Sequence, residues 1–566
     1  MNPTLRRTFL SAALILISLV LLWTNSPSRA QSDLSPVLIA GSVFDNLDQP
    51  VSGAQVILSG KDPDSIISEV LTESSGNFLL DVPENIPDNL NLHIERAHFE
   101  TLEVPLTPAD IQELKKGDSI TTPDLVINRR ITISFWIATL IFVGVLVLIA
   151  TGKLHNTLAA LVGASLIYFV SYIGYPINEN LYIFNFHQSL FYVDWNVIFL
   201  IMGMMIIIAV VENTGIFQWL AFTAYRISGG KMILLLPILM LITGIASAFL
   251  DNVTTMLLMT PISVQIALSL GLSPLVLLIP EVMASNVIGI STLIGTPTNI
   301  LIGSYAHLSF NDFLVNLTPG VIMAFIGLAL YSYLTYRKQL SGSQDTSALL
   351  LERLGQQASI TEPIHLKKAG VIGFFMLLLF MFGERIHLIP AVTALLGATA
   401  LMVWIRPNIE EMIEAVDWTT LVFFISLFIV VGAIQEVGLI SFIAEEIGIM
   451  VGDNLLLAVL VVIWFSAILS TVIANIPFTA AMLPVIGYLT ITIPGAQSMV
   501  LFYCLSVGSA MGGNGSLIGA SANMVTSGIA ERAGYPITYV YFFKKGFPAL
   551  LITVTLATIW LLIRFL

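Results

Sequence analysis

The chain has one cysteine in 566 residues, Cys504, and it lies inside an apolar run. An intrachain disulfide and a cysteine metal cluster are therefore excluded. Charge is scarce too: Asp, Glu, Lys and Arg make up 10% of the residues, against about 25% in an average soluble domain. No Gly-x-x-x-x-Gly-Lys-Ser/Thr run occurs, so ATP is not read as a drive supplied by this chain. The net charge is −13, yet residues 31–128 alone hold 17 acidic against 4 basic residues. No basic face is left over for nucleic acid. Neither a nucleophile–base pair nor a metal cluster stands out, which argues against an enzyme, and no cofactor is implied. What is present is apolar. Hydrophobic residues make up 56% of the chain and mean hydropathy is +0.90. Runs able to cross a ~30 Å hydrocarbon core recur from Ile131 to the C-terminus. The sequence reads as a polytopic α-helical membrane protein whose first partner is the lipid bilayer.

Arg6 and Arg7 precede the apolar run Phe9 to Trp23, and Ser28 and Ala30 follow at leader-peptidase spacing. That is the layout of a signal peptide, or of an uncleaved signal anchor. Either sends residues 31–128 out of the cytoplasm. In that segment Val37 to Val43 and Ala54 to Leu58 alternate apolar and polar residues, the period of a half-buried strand. Turn signals at Asn46 to Pro50, Ser74 to Asn77 and Pro83 to Asp88 separate such runs. A small all-β antiparallel sandwich is expected. The order Gly41-x-Val43, Pro50-Val51-x-Gly53-Ala54-x-Val56, then Gly76-x-Phe78 resembles the carboxypeptidase regulatory-like domain. His93 and His98 are read as packing residues.

The rest of the chain repeats once. Val193-Asp194-Trp195 returns as Val416-Asp417-Trp418, Gly215-Ile216 as Gly438-Leu439, Asn252 as Asn475 and Pro261 as Pro484, all 223 residues on. Leu293-Ile294-Gly295 returns as Leu517-Ile518-Gly519 and Asn299 as Asn523, at 224. Each half reads as five crossings plus a re-entrant hairpin, and an odd count inverts the second copy in the membrane. The basic residues agree with an exported N-terminal domain and C-terminus. Twelve Lys and Arg, from Lys153 to Lys545, fall in segments this topology places inside, against Arg129, Arg130, Arg385 and Arg564 outside. The expected organisation is a signal segment (1–30), an exported β-sandwich (31–128), a first transporter repeat (129–340), a cytoplasmic linker (341–365) and a second, inverted repeat (366–566).

Backbone is not left unpaired in lipid, so a helix broken at membrane depth implies a protein-lined, usually wet site. Four breaks are read: Asp251-Asn252-Val253, Gly295-Thr296-Pro297-Thr298-Asn299, Ala474 to Pro477, and Gly512 to Asn523. Their free N–H groups and carbonyls suit an anion and a cation respectively. The candidate ion-binding residues are Asp251, Asn252, Thr254, Thr255, Gly295, Thr296, Thr298, Asn299, Asn475, Gly519, Ser521 and Asn523, with Glu281, Asn286, Asn514 and Ser516 as further candidates. Asp251 is the acid in the clearest break, and such a group is suited to carrying a proton or Na+. Its bland role is to cap the second hairpin arm. Glu212 reads as interfacial, and His155, His307 and His387 as packing or interfacial residues near span ends. No metal is expected beyond a transported Na+.

Leu250-Asp251-Asn252-Val253-Thr254-Thr255-Met256-Leu257-Leu258, followed by Ala284-Ser285-Asn286 and Ile294 to Asn299, resembles the ArsB/NhaD permeases of the ion transporter superfamily, which also holds citrate-type permeases. The Ser-Asn-Thr signature of dicarboxylate members is missing from both hairpin tips. The resemblance implies a scaffold and a mobile transport domain with two opposed hairpins, a homodimer and an elevator-like motion. The expected function is a secondary active ion transporter, an antiporter coupled to H+ or Na+ that performs Na+/H+ exchange or expels arsenite or another oxyanion. The alternatives are a coupled organic anion permease and, from another class, a membrane receptor with an exported ligand-binding domain. Geometrically, Asn252, Asn299, Asn475 and Asn523 are expected around one polar cavity, with Asp251 on its wall and Ala474 opposite.

Overall fold

The computed structural model describes residues 37–46, 49–60, 65–83, 86–229, 231–340 and 360–566. The signal segment 1–30 and residues 341–359 of the expected linker lie outside them. The described chain falls into two compact units that divide between Arg130 and Ile131.

In the first unit, alternation drives two sheets against one core. One has the order β4 (Asn77–Val82), β1 (Val37–Asp45), β7 (Ile120–Thr121), with β8 (Leu125–Ile127) also on β1. The other has the order β3 (Ile66–Leu71), β2 (Gln55–Ser59), β5 (Asn91–Glu95), β6 (Leu102–Pro105). Ile39, Val43, Val56, Leu58, Phe78, Leu80, Leu92 and Ile94 are buried together between them. The expectation of a purely antiparallel sandwich needs correcting: β1 pairs antiparallel with β4 but parallel with β7 and β8. A parallel return needs a crossover, and the helix Pro108–Lys116 lies on the path from β6 to β7. Thr107 and Asp110 close a capping box on that helix, with Pro108 in its first turn.

The second unit is helical, and among the described residues eleven helices are long and apolar enough to cross a membrane. Their exposed residues include Leu140, Trp136, Ile326 and Val403, as expected of a lipid-facing surface. The first half runs Ile133–Thr151, Asn156–Phe169, Trp195–Glu212, the amphipathic Ile216–Ile227, the hairpin arms Met232–Phe249 and Asn252–Ser269, the broken pair Leu275–Gly289 and Pro297–Tyr305, and Phe310–Leu340. The second half repeats it element for element: Pro363–Phe382, Pro390–Ile405, Trp418–Glu436, Leu439–Val451, arms Leu455–Val472 and Asn475–Thr492, the pair Val500–Gly512 and Ser521–Arg532, and Tyr539–Phe565.

The repeated motifs turn out to be helix punctuation. Asp194 and Asp417 accept backbone N–H bonds at the start of the two third spans. Gly215 and Gly438 take φ of 78° and 92° at the entrance to the amphipathic helices, a left-handed turn that a side chain resists. The halves also exchange neighbours. Trp195–Glu212 packs on Pro390–Ile405, and Trp418–Glu436 packs on Asn156–Phe169, the pairing expected of two copies related by a pseudo-two-fold axis.

Candidate functional site

Each hairpin turns on two extended residues, Leu250 and Asp251 in the first half and Ile473 and Ala474 in the second. Each is then held against the broken helix of its own half by the same bonds. The Ser247 hydroxyl donates to the Ser285 carbonyl at 3.1 Å, and Ser470 to Ser509 at 2.6 Å. The Thr292 hydroxyl donates to the Ala248 carbonyl, and Ser516 to that of Thr471. These hydroxyls then accept from the N–H of Gly295 and of Gly519, each at 3.1 Å. Glycine is required at both positions. A Cβ on Gly295 would lie 2.2 Å from the Gly289 carbonyl oxygen, and one on Gly519 would lie 2.7 Å from that of Ser470.

The break asparagines act as braces. The Asn299 amide donates to the carbonyls of Ile290 and Thr292 at 2.9 and 2.8 Å, and Asn523 donates to those of Gly513 and Ser516 at 2.8 and 2.9 Å. The other half supplies what remains: Ser506 donates to Asn299 at 2.6 Å and Asn286 to Asn523 at 3.1 Å. Asn286 also donates to Asn514 at 2.9 Å and accepts from Asn252 at 2.8 Å. A buried amide chain thus runs from the first hairpin tip to the second break. Thr296 caps the helix that follows the first break and lies 3.0 Å from the Thr298 hydroxyl. Behind the tips, the buried hydroxyls of Thr255 and Thr479 have no hydrogen-bond partner among the described residues.

A cavity of about 500 Å³ opens in front of this network. Both tips and both breaks reach it through Asp251, Val253, Thr254, Ile294, Pro297, Ile476 and Ser521. The opposite wall comes from the second and third spans, with His155, Ile201, Met205, Glu212, Asp417 and Thr420. Asp251 accepts from the N–H groups of Val253 and Thr254, both at 2.9 Å, and from the Thr254 hydroxyl. No Lys or Arg lines this cavity among the described residues. Of the residues expected at the site, only Asp251, Thr254 and Ser521 face the cavity. The four asparagines stand behind it rather than around it, and Ala474 is absent from its wall. Asp417, Glu212 and His155 join it, residues the sequence offered only as a repeated motif or as span ends. Glu281 is not on its wall; it is fully buried, with both carboxyl oxygens on the Ser263 hydroxyl at 2.9 and 2.7 Å.

A second cavity of about 330 Å³ touches Asn196, Val197, Leu200, Leu293, His307 and His387. Asn196 and Glu212 are at opposite ends of one 18-residue span, which is ~27 Å long, so the two cavities lie toward opposite ends of that span. They approach each other back to back. Ile300 lines both, Leu200 and Leu293 the smaller, and Ile201 and Ile294 the larger.

The sequence model for "Citrate transporter" matches residues 146–494. A "46 kDa membrane protein" of Mycobacterium leprae is 35% identical over 431 residues, 76% of this chain and 99% of that one. An "Uncharacterized transporter" of Synechocystis is 30% identical over 443 residues, covering 74% and 95%. Human "P protein" is 32% identical over 505 residues, covering 75% of this chain and 59% of that one.

Proposed function

Because the chain belongs to the citrate transporter family and is an integral membrane transporter, we propose that it is a secondary active ion transporter working by alternating access, an antiporter coupled to H+ or Na+ as its likeness to ArsB/NhaD permeases suggests. The observation that carries this reading is the pair of cavities at opposite ends of one span, parted by Ile300. Two inverted halves offer two pseudo-equivalent entrances: His155 to Thr157 flank the larger cavity, and Ile389 to Ala391, at the start of the matching span, flank the smaller. Their unequal volumes suit a molecule resting with one entrance open.

The larger cavity presents Asp251, Asp417 and Glu212 with no Lys or Arg among the described residues, and a cation gains from that field where an anion does not. Asp251 is the carrier in this reading, with Thr254 and Ser521 beside it. Asn252, Asn299, Asn475 and Asn523, with Gly295, Gly519, Thr296 and Thr298, hold the tips and breaks in shape. The hairpins and broken helices move as one body against the second and third spans, in a homodimer. A second reading, a coupled organic anion permease, draws on the name of the matching family and on a cavity of about 500 Å³, within the range that holds small organic molecules.

Purified protein in proteoliposomes, offered Na+, arsenite and citrate under imposed pH and Na+ gradients, separates these readings. Na+ movement driven by a pH gradient supports the cation antiporter. Citrate uptake driven by either gradient supports the permease, and no flux of any kind returns the receptor reading. The orientation has its own test in a Cys504→Ala background. Cysteines at Asp88, an exposed residue paired with Lys115, and at Gly342 are expected to react with an impermeant thiol reagent from opposite sides. Reaction of both from one side refutes an exported β-sandwich.

A further inference from the structure

Glu281 is the one candidate acid that faces neither cavity. Among the described residues, the elements packed against its helix bring it no cation. Both arms of the first hairpin are free of titratable residues, and Val500–Gly512 offers only Tyr503 and Cys504. The charged residues of Ser521–Arg532, Phe310–Leu340 and Tyr539–Phe565, such as Arg532, Lys338 and Lys545, sit toward helix ends. An isolated buried carboxylate is expensive, and an ionisable residue at membrane depth calls for a function and a named partner.

The partner is Ser263. Its hydroxyl oxygen is 2.9 Å from one carboxyl oxygen of Glu281 and 2.7 Å from the other. A hydroxyl has a single hydrogen to donate, so it satisfies one of these contacts fully. The second is satisfied when the carboxyl itself bears a hydrogen and donates it back. Ser263 leads onward. Thr260 is one turn away on the same helix face, and its hydroxyl lies 3.5 Å from that of Thr526. One turn from Thr526 is Asn523, which accepts from Asn286, which in turn accepts from Asn252 beside Asp251. Every member of this series is buried.

We infer that Glu281 is a proton-holding site within the hairpin-bearing core, with the buried polar side chains Ser263, Thr260, Thr526, Asn523, Asn286 and Asn252 spaced between it and the hairpin tip that carries Asp251. This rests on the transporter reading for its purpose, since it gives the coupled proton a place to reside away from the cargo. The site itself is tested apart from transport. Infrared spectra of the purified full-length protein at neutral pH should show the carbonyl band of a neutral carboxylic acid. The band is expected to disappear in Glu281→Gln, whose amide keeps the shape and the Ser263 contact, and to persist in Asp251→Asn. In Ser263→Ala, which leaves the acid and removes its partner, it should shift without vanishing. In Thr526→Val its exchange in heavy water should slow severalfold. A band unchanged in Glu281→Gln, or unshifted in Ser263→Ala, overturns the assignment. Failure of the transporter reading looks different: wild-type vesicles then move no ion while the band remains.

Discussion

Asp251→Asn is expected to reduce gradient-driven flux by about two orders of magnitude or more, the range over which a positioned proton-transferring group acts, while leaving the fold and its thermal midpoint close to wild type. The carboxylate has two separable roles. As a cap, it accepts from the N–H groups of Val253 and Thr254 at 2.9 Å, and an asparagine oxygen caps about as well as an aspartate oxygen. As a charge, it faces the larger cavity opposite Asp417 and Glu212, and an amide neither releases a proton nor balances a cation. The duplicated half shows which role is dispensable, because Ala474 stands at the same place in the second hairpin with no side-chain cap at all. A hairpin tip of this design closes without an acid. Asp251→Ala should therefore destabilise by only about 1 kcal/mol, the usual value of a lost cap, yet abolish coupled flux as thoroughly as the asparagine. Full coupled transport by the asparagine variant would leave Asp251 a cap and nothing more.

The hairpins and breaks were legible in the sequence because they are interruptions: Asp251-Asn252 and Gly295 to Asn299 stop apolar runs too abruptly for a lipid-embedded backbone to tolerate without partners. The duplication was legible because punctuation recurs at a fixed offset, and the structure supplies the reason, with Asp194 and Asp417 both capping third spans. Which polar residues face the cavity was not legible. A buried asparagine that braces carbonyls and one that binds an ion have the same neighbours in sequence. Only the bonds of Asn299 to Ile290 and Thr292 identify it as a brace. Asp417 was hidden for the opposite reason. Its cap role is local and readable, whereas its place on the same cavity as Asp251 depends on the halves exchanging neighbours, which brings together residues 166 positions apart in the chain. In the acidic domain, alternation gave the strands, but the parallel return of β7 and β8 to β1 is a matter of topology that no local period encodes.

Gly295→Ala should be among the most damaging single-methyl changes in the membrane unit. Gly295 has no positive φ, so its backbone conformation is one that alanine adopts freely, and the requirement is for space alone. An added Cβ would sit 2.2 Å from the Gly289 carbonyl oxygen, 2.7 Å from that of Ser247 and 2.9 Å from the Ala248 Cα. All three are backbone atoms, which do not swing aside as a side chain does. Relief requires the first hairpin tip to back away from the break, and that stretches the Ser247–Ser285 and Thr292–Ala248 bonds that seat it. Overpacking of this kind costs about 1–3 kcal/mol and sometimes more, and Gly295 belongs at the upper end. The repeat provides a graded comparison. At Gly519 the nearest contacts are 2.7 Å to the Ser470 oxygen and 2.8 Å to that of Gly513, so Gly519→Ala should lower the thermal midpoint less. Gly373, in a membrane helix with nothing within 4 Å of its added Cβ, should tolerate alanine within about 1 kcal/mol, the scale of helix propensity. Thermal midpoints of the three variants in detergent, with flux measured in parallel, check the order Gly295, Gly519, Gly373. Because the distortion at Gly295 moves the segment that carries Asp251, flux should fall even at temperatures where the variant stays folded. A Gly295→Ala protein as stable and as active as wild type would mean that the hairpin tip is not seated on the break as described, and the cavity wall built on that contact would have to be redrawn.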